Sequence, residues 1–151
     1  MKKAFTMIEL IFVIVILGIL ALVAIPRYLA ISSSAHEAKL ISFVRTLNRT
    51  TGEDLFGKSL SSGKNGSIKN LKPDNMSWEE FLSKYIDIPV EINKSDINLS
   101  NCGDKEYKKV MSANLTIMNM EYNITCKDGT PSSSPYFQLI REDGEILVSR
   151  D

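Results

Sequence analysis

The chain has 151 residues, a single domain's worth, in which 18 Lys plus Arg balance 18 Asp plus Glu around one His. Without a basic excess, net charge gives no reason to expect general binding to nucleic acid or to an anionic membrane surface. The mean hydropathy near zero conceals a sharp division, because the apolar residues crowd into the N-terminus.

From Phe5 to Ile25 the chain reads FTMIELIFVIVILGILALVAI, 21 residues with Glu9 as the only charge. At about 1.5 Å per residue this helix reaches about 32 Å, against a hydrocarbon core of about 30 Å. Lys2 and Lys3 precede it, so the positive-inside rule places the N-terminus in the cytoplasm and the rest of the chain outside. A cleaved secretory signal fits badly, since the apolar run is too long and a cut after Ala24 would put Leu22 at the third position back. A plain anchor accounts for the length but not for Glu9, because an acid inside a spanning helix costs about 2.5 to 3.5 kcal/mol. The segment offers no cation at that depth. A cut between Ala4 and Phe5 would supply one, an α-amino group of pKa about 7.7 to 8.0 four residues from Glu9, with a second available from a neighbouring copy. Glu9 then reads as an assembly device.

The sequence KKA-FTMIEL followed by an unbroken apolar helix resembles the class III signal of type IV pilins and type II secretion pseudopilins, over residues 2–26. The resemblance implies that a prepilin peptidase removes residues 1–4, cutting between Ala4 and Phe5, and N-methylates Phe5. It matches Glu9 to the acid that recruits the next subunit and Pro26 to a helix-kinking proline. It names as partners other pilin subunits through the N-terminal helix, the prepilin peptidase and the inner-membrane assembly platform. The family usually has Gly where this chain has Ala4, which bears on the rate of processing. Three segments follow: a leader at 1–4, a transmembrane and assembly helix at 5–26, and a periplasmic globular domain at 27–151.

Beyond Pro26, Ile31, Ala35, Ala38, Ile41, Val44 and Leu47 recur at three- and four-residue spacing between Lys39, Arg45, Asn48 and Arg49, which predicts helix to about Thr50 with one face packed on a sheet of the same chain. Gly52, Gly57, Gly63 and Gly66, interspersed with serines, predict a loop that ends the helix. Ser77-Trp78-Glu79-Glu80 has the form of a capping box opening a short helix through Phe81, Leu82, Tyr85 and Ile86, stopping before Pro89, with Trp78 in the core. Strands are expected from Leu115 through Cys126, with a slip at Met118 and Asn119 that suits a bulge. Two more, Tyr136 to Ile140 and Glu145 to Ser149, flank an Asp143-Gly144 hairpin turn. The expected fold is α+β, a long N-terminal helix on a small antiparallel sheet of three or four strands, as the pilin resemblance also implies.

Cys102 and Cys126 are the only cysteines and fall on the side predicted to be oxidising, so one disulfide is expected. It would close a 25-residue loop, counted inclusively, worth about 3.5 kcal/mol on the chain-entropy model. Seven Asn-x-Ser/Thr triplets occur, at Asn48, Asn65, Asn75, Asn93, Asn98, Asn114 and Asn123. Those at Asn93, Asn98 and Asn123 also have an acid two places earlier and resemble the extended acceptor of bacterial periplasmic N-glycosylation, and of the candidates Asn98 and Asn123 the better is Asn98 because it falls in a loop.

No phosphate-binding loop, nucleophile triad or metal-ligand cluster can be assembled around the lone His36, so neither catalysis, a cofactor nor a metal is expected. The calcium-binding pattern of major secretion pseudopilins has no counterpart here. The acid pairs Glu79-Glu80 and Glu142-Asp143 read as solvated surface. Lys105, Lys108 and Lys109 form the compact basic group, more a solvated loop than a DNA contact. The reading is a pseudopilin-like structural subunit, leaning by analogy to DNA uptake in natural transformation, with protein secretion or a minor type IV pilin as the alternatives. A membrane-anchored periplasmic binding domain is the alternative of a different class.

Overall fold

A computed structural model describes residues 5–116 and 119–149, with the backbone alone described at residue 50. The chain divides into two compact units, Met1–Ala35 and His36–Asp151.

The first unit is helix throughout from Met7, the start of α1 (Met7–Thr46), with Pro26 inside it. None of its described apolar side chains is buried; Phe5, Ile8, Leu22 and Ile31 are each more than 70% exposed. The helix is long and apolar enough to cross a membrane.

In the second unit, α1 continues through a π-helical turn at Leu47–Thr51 into α2 (Gly52–Ser61). The predicted loop at Gly52 and Gly57 is therefore helix, and the chain turns only at Gly63, where φ is +71°. The π turn explains how Gly52 is accommodated. Its N–H donates to the Leu47 carbonyl, and a Cβ at this position would lie 2.6 Å from that oxygen. The turn also sets the buried stripe. Leu40, Phe43, Val44 and Leu47 bury at ordinary helical spacing, followed at intervals of four by Thr51, Leu55 and Ser59. A run of fours drifts off a 3.6-residue face, and one wide turn absorbs the surplus residue. The stripe expected from sequence holds at Val44 and Leu47 and in part at Ile41, whereas Ile31, Ala35 and Ala38 are exposed. Small side chains at the predicted face contribute less burial than Leu40 and Phe43 on the face that packs.

Helix α3 (Trp78–Leu82) opens with the predicted capping box, Ser77 and Glu80 each bonding the other's backbone N–H. Trp78 packs edge-on against Phe81, and both are buried. The sheet has four antiparallel strands in sequential order, β1 (Lys108–Leu115), β2 (Met120–Lys127), β3 (Tyr136–Arg141) and β4 (Ile146–Val148). Directly paired residues share a face. The row Met111, Ile124, Leu139, Val148 therefore crosses all four strands and meets the helical stripe in one core.

Where a bulge was expected, Asn119 lies in the β1–β2 turn. Leu115 pairs with Met120, and Asn119 takes φ of +50°, a conformation its short polar side chain tolerates; Met118 lies outside the described residues. The bulge falls at Val110, between the Lys109 and Met111 pairs, and lets two successive side chains bury. The free edge of β1 is covered by the preceding segment, through Asn93 N–H to Ser112 O, Asn98 N–H to Val110 O and Asn114 N–H to Glu91 O.

Candidate functional site

The start of α1 is built by the residues that resemble a processing signal. Thr6 is the N-cap of the helix and Glu9 its third residue, the spacing of a capping box. Glu9 N–H donates to Thr6 Oγ1 at 3.3 Å, and Thr6 N–H donates back to Glu9 Oε2 at 3.0 Å, with the Thr6 hydroxyl adding a bond of 2.8 Å. The carboxylate thus meets the positive end of the helix dipole and takes the N-cap N–H, while the Thr6 hydroxyl takes a backbone donor the helix itself leaves open. Both bonds to the carboxylate fall on Oε2; Oε1 has no partner among the described residues. Phe5, Ile8, Glu9, Phe12 and Val13 border a shallow depression of about 400 Å³, so the one acid lies in an apolar surface. Such an arrangement can hold a cation or a neighbouring helix but contains no group to carry a reaction.

In the second unit the helix is fixed to the sheet by polar contacts at two heights. The Asn48 amide bonds both ways to the Phe137 backbone, donating to its carbonyl at 2.9 Å and accepting from its N–H at 2.8 Å. Two to three turns earlier, Glu37 Oε2 accepts from the Tyr122 hydroxyl at 2.6 Å and from Arg141 Nη2 at 2.8 Å. Tyr122 and Arg141 are paired across β2 and β3, so one carboxylate clamps two strands. Burial alone would raise the Glu37 carboxyl, but the bonds from Tyr122 and Arg141 and the guanidinium charge outweigh it and hold it below its ordinary range. Burial first, then the bond to Glu37, pushes the Tyr122 phenol up. Arg141 also holds Glu145 of the same hairpin.

Nearby, Glu91 pairs with His36, and Lys39 stands 3.6 Å away. Burial would raise this carboxyl too; the His36 bond, its own backbone and the Lys39 charge leave it lowered.

The predicted residues are scattered. Ala4 lies outside the described residues, and Phe5 is fully displayed at the helix start. Cys102 and Cys126 form the expected disulfide, with Cα atoms 4.8 Å apart and both residues buried. The bridge ties the segment before β1 to β2, beside Gly103 N–H to Cys126 O. Asn98 begins a 3-10 turn, its Oδ1 accepting from Ser100 N–H, whereas Asn123 stands mid-strand between Ser112 and Ile140 with Thr125 buried behind it. Lys108 and Lys109 are strand residues, not loop, and as neighbours on a strand they face opposite sides; Lys105 lies in the loop before them. The acid pairs lie at the surface as expected, with Glu79 paired to Lys94 and Asp143 3.6 Å from Arg141.

Sequence reasoning missed the Thr6–Glu9 box, although its Thr-x-x-Glu pattern was legible. It also missed the Glu37–Tyr122–Arg141 clamp, whose partners stand 85 and 104 positions from Glu37 and leave no local signal.

The molecule is thus an exposed apolar helix that leads into a disulfide-bridged unit of helix on antiparallel sheet, the arrangement of pilin-like subunits. Residues 1–25 match the family model described as the prokaryotic N-terminal methylation motif, the prepilin signal of type IV pilins and pseudopilins. No curated protein and no solved structure matches the chain. The motif supports a type IV pilin- or pseudopilin-like structural subunit.

Proposed function

We propose that this chain is a pseudopilin-like structural subunit of a machine related to type II secretion and type IV pili. It is anchored in the inner membrane with its second unit in the periplasm, cut before Phe5, N-methylated there and stacked through its N-terminal helix into a periplasmic pseudopilus. The observation that carries the reading is the methylation motif at the head of a helix that buries none of its apolar side chains from Phe5 through Ile31. A helix of this kind is stable only in lipid or against other helices, and moving from one to the other costs little because both are apolar. Glu9 gives that move direction. Its Oε1 is open, and after cleavage the Phe5 α-amino group supplies a cation at the same depth, from its own chain or from the subunit docking beside it. Mass measurement of the N-terminal peptide from cell membranes tests the processing. Phe5 carrying one added methyl is expected; a chain that retains residues 1–4 would contradict it.

The machine we favour is DNA uptake, with this subunit supporting transport mechanically. A strain lacking this gene, beside a complemented control, is expected to lose natural transformation. An unchanged frequency would favour protein secretion or a minor pilin. Between the extended sequons at Asn98 and Asn123, Asn98 is the one the geometry suits, since glycosylation of Asn123 would require opening the centre of the sheet.

A further inference from the structure

The second unit carries opposite surface charges near the two ends of β3, and neither is neutralised among the described residues. At one end Arg45 and Arg49, one turn apart on the helix, border an open depression of about 450 Å³ with Tyr136 and Ser149. Both arginines are exposed, and neither has an ion-pair partner among the described residues. At the other end Glu142 follows β3 and donates its N–H to the carbonyl of Glu121, which sets the two residues side by side. Both are exposed and likewise unpaired among the described residues.

The helix runs along β3, held by Asn48 to Phe137 at one end and by Glu37 to Arg141 at the other. A strand of six residues therefore separates the charges, about 20 Å at about 3.3 Å per residue. No side chain spans that distance, so one copy cannot join its own ends.

We propose that the Arg45/Arg49 groove of one copy receives the Glu121/Glu142 tip of the next. This rests on the fibre reading and assigns it a contact between globular units. The patches are different surfaces at opposite ends, so the contact is head to tail and repeats into an open stack instead of closing a dimer. Arginine suits the role because its planar fork accepts a carboxylate bidentately. A second copy is favoured over a nucleic acid because the chain is neutral overall and the two cations of the groove match the two carboxylates of the acidic tip. Rim charges of this kind fix register and reject wrong partners more than they add affinity.

The test uses the full chain in cells, with multimers trapped by cross-linking. Arg45→Glu with Arg49→Glu, and separately Glu121→Arg with Glu142→Arg, are each expected to lower trapped multimers about tenfold through like-charge repulsion. Reversing all four residues in one chain restores complementarity and is expected to bring multimers back to within about threefold of the unsubstituted level. One-sided variants that multimerise normally would overturn the contact. So would a fourfold reversal that fails to recover while the chain keeps its Cys102–Cys126 bridge and its abundance. Loss of multimers in Glu9→Val, with none in the one-sided variants, overturns this contact and leaves the fibre reading standing. Absence of multimers from the unsubstituted chain overturns both.

Discussion

The two units use apolar residues in opposite ways. Among the described residues every buried apolar side chain lies at Leu40 or beyond, while Phe5 through Ile31 display theirs. A soluble monomer does not sustain an apolar surface of that extent. In the second unit Met111, Ile124, Leu139 and Val148 are completed by the unit's own helix; in the first, Ile8, Phe12 and Leu22 are covered by none of the described residues. The contrast separates what folds by itself from what is finished by lipid or by other subunits.

The largest stability effect expected in the second unit comes from the disulfide. Replacing Cys102 and Cys126 together by Ser should lower its unfolding free energy by about 3.5 kcal/mol. In urea denaturation of the full chain in detergent, followed by Trp78 fluorescence, the midpoint should fall by more than about 1 M. An unmoved midpoint would show that the core alone holds the sheet.

The clamp comes next. Arg141→Met leaves Glu37 without its cation and should cost about 2 kcal/mol in the same assay. Glu37 and Glu91 are both held below their ordinary value of 4.5, so their stabilisation is present above that pH and is lost as the pH falls through the folded-state values. Unfolding free energy should therefore decline below about pH 4.5, and Glu37→Gln should flatten part of that decline. A decline of unchanged slope in Glu37→Gln would remove this carboxylate from the account.

The smallest effect separates two glycines in one helix. Gly57 has open space around it, so Gly57→Ala should stabilise by about 0.5 to 1 kcal/mol. Gly52→Ala meets the Leu47 carbonyl and should destabilise by about 1 kcal/mol. Two substitutions of the same sign would mean that the π turn relaxes freely.

Much of this was legible because the signals are local. The apolar run, the Ser77–Glu80 capping box, the Asp143-Gly144 turn and the cysteine pair each follow from neighbours in sequence. The glycine loop misled because a glycine at 52 ordinarily breaks a helix; here the π turn requires it, and that need arises only once Leu47, Thr51 and Leu55 bury on one face. The bulge was misplaced because turn and bulge both interrupt alternation, and only the pairing of Leu115 with Met120 separates them. Glu37 and Arg141 carry no mark in sequence of their meeting. At the N-terminal site Glu9 was legible as an anomaly, while its bond to Thr6 was obscured by reading the segment as a span before reading it as a helix start.

In the proposed function Glu9 finishes the first unit through other subunits and contributes nothing to the second. The most direct measurement is the multimer content and abundance of Glu9→Val in membranes, beside the unsubstituted chain. The account predicts a protein that stays in the membrane, oxidised at Cys102 and Cys126 and at normal abundance, but is absent from cross-linked multimers. Multimers at the unsubstituted level would contradict it.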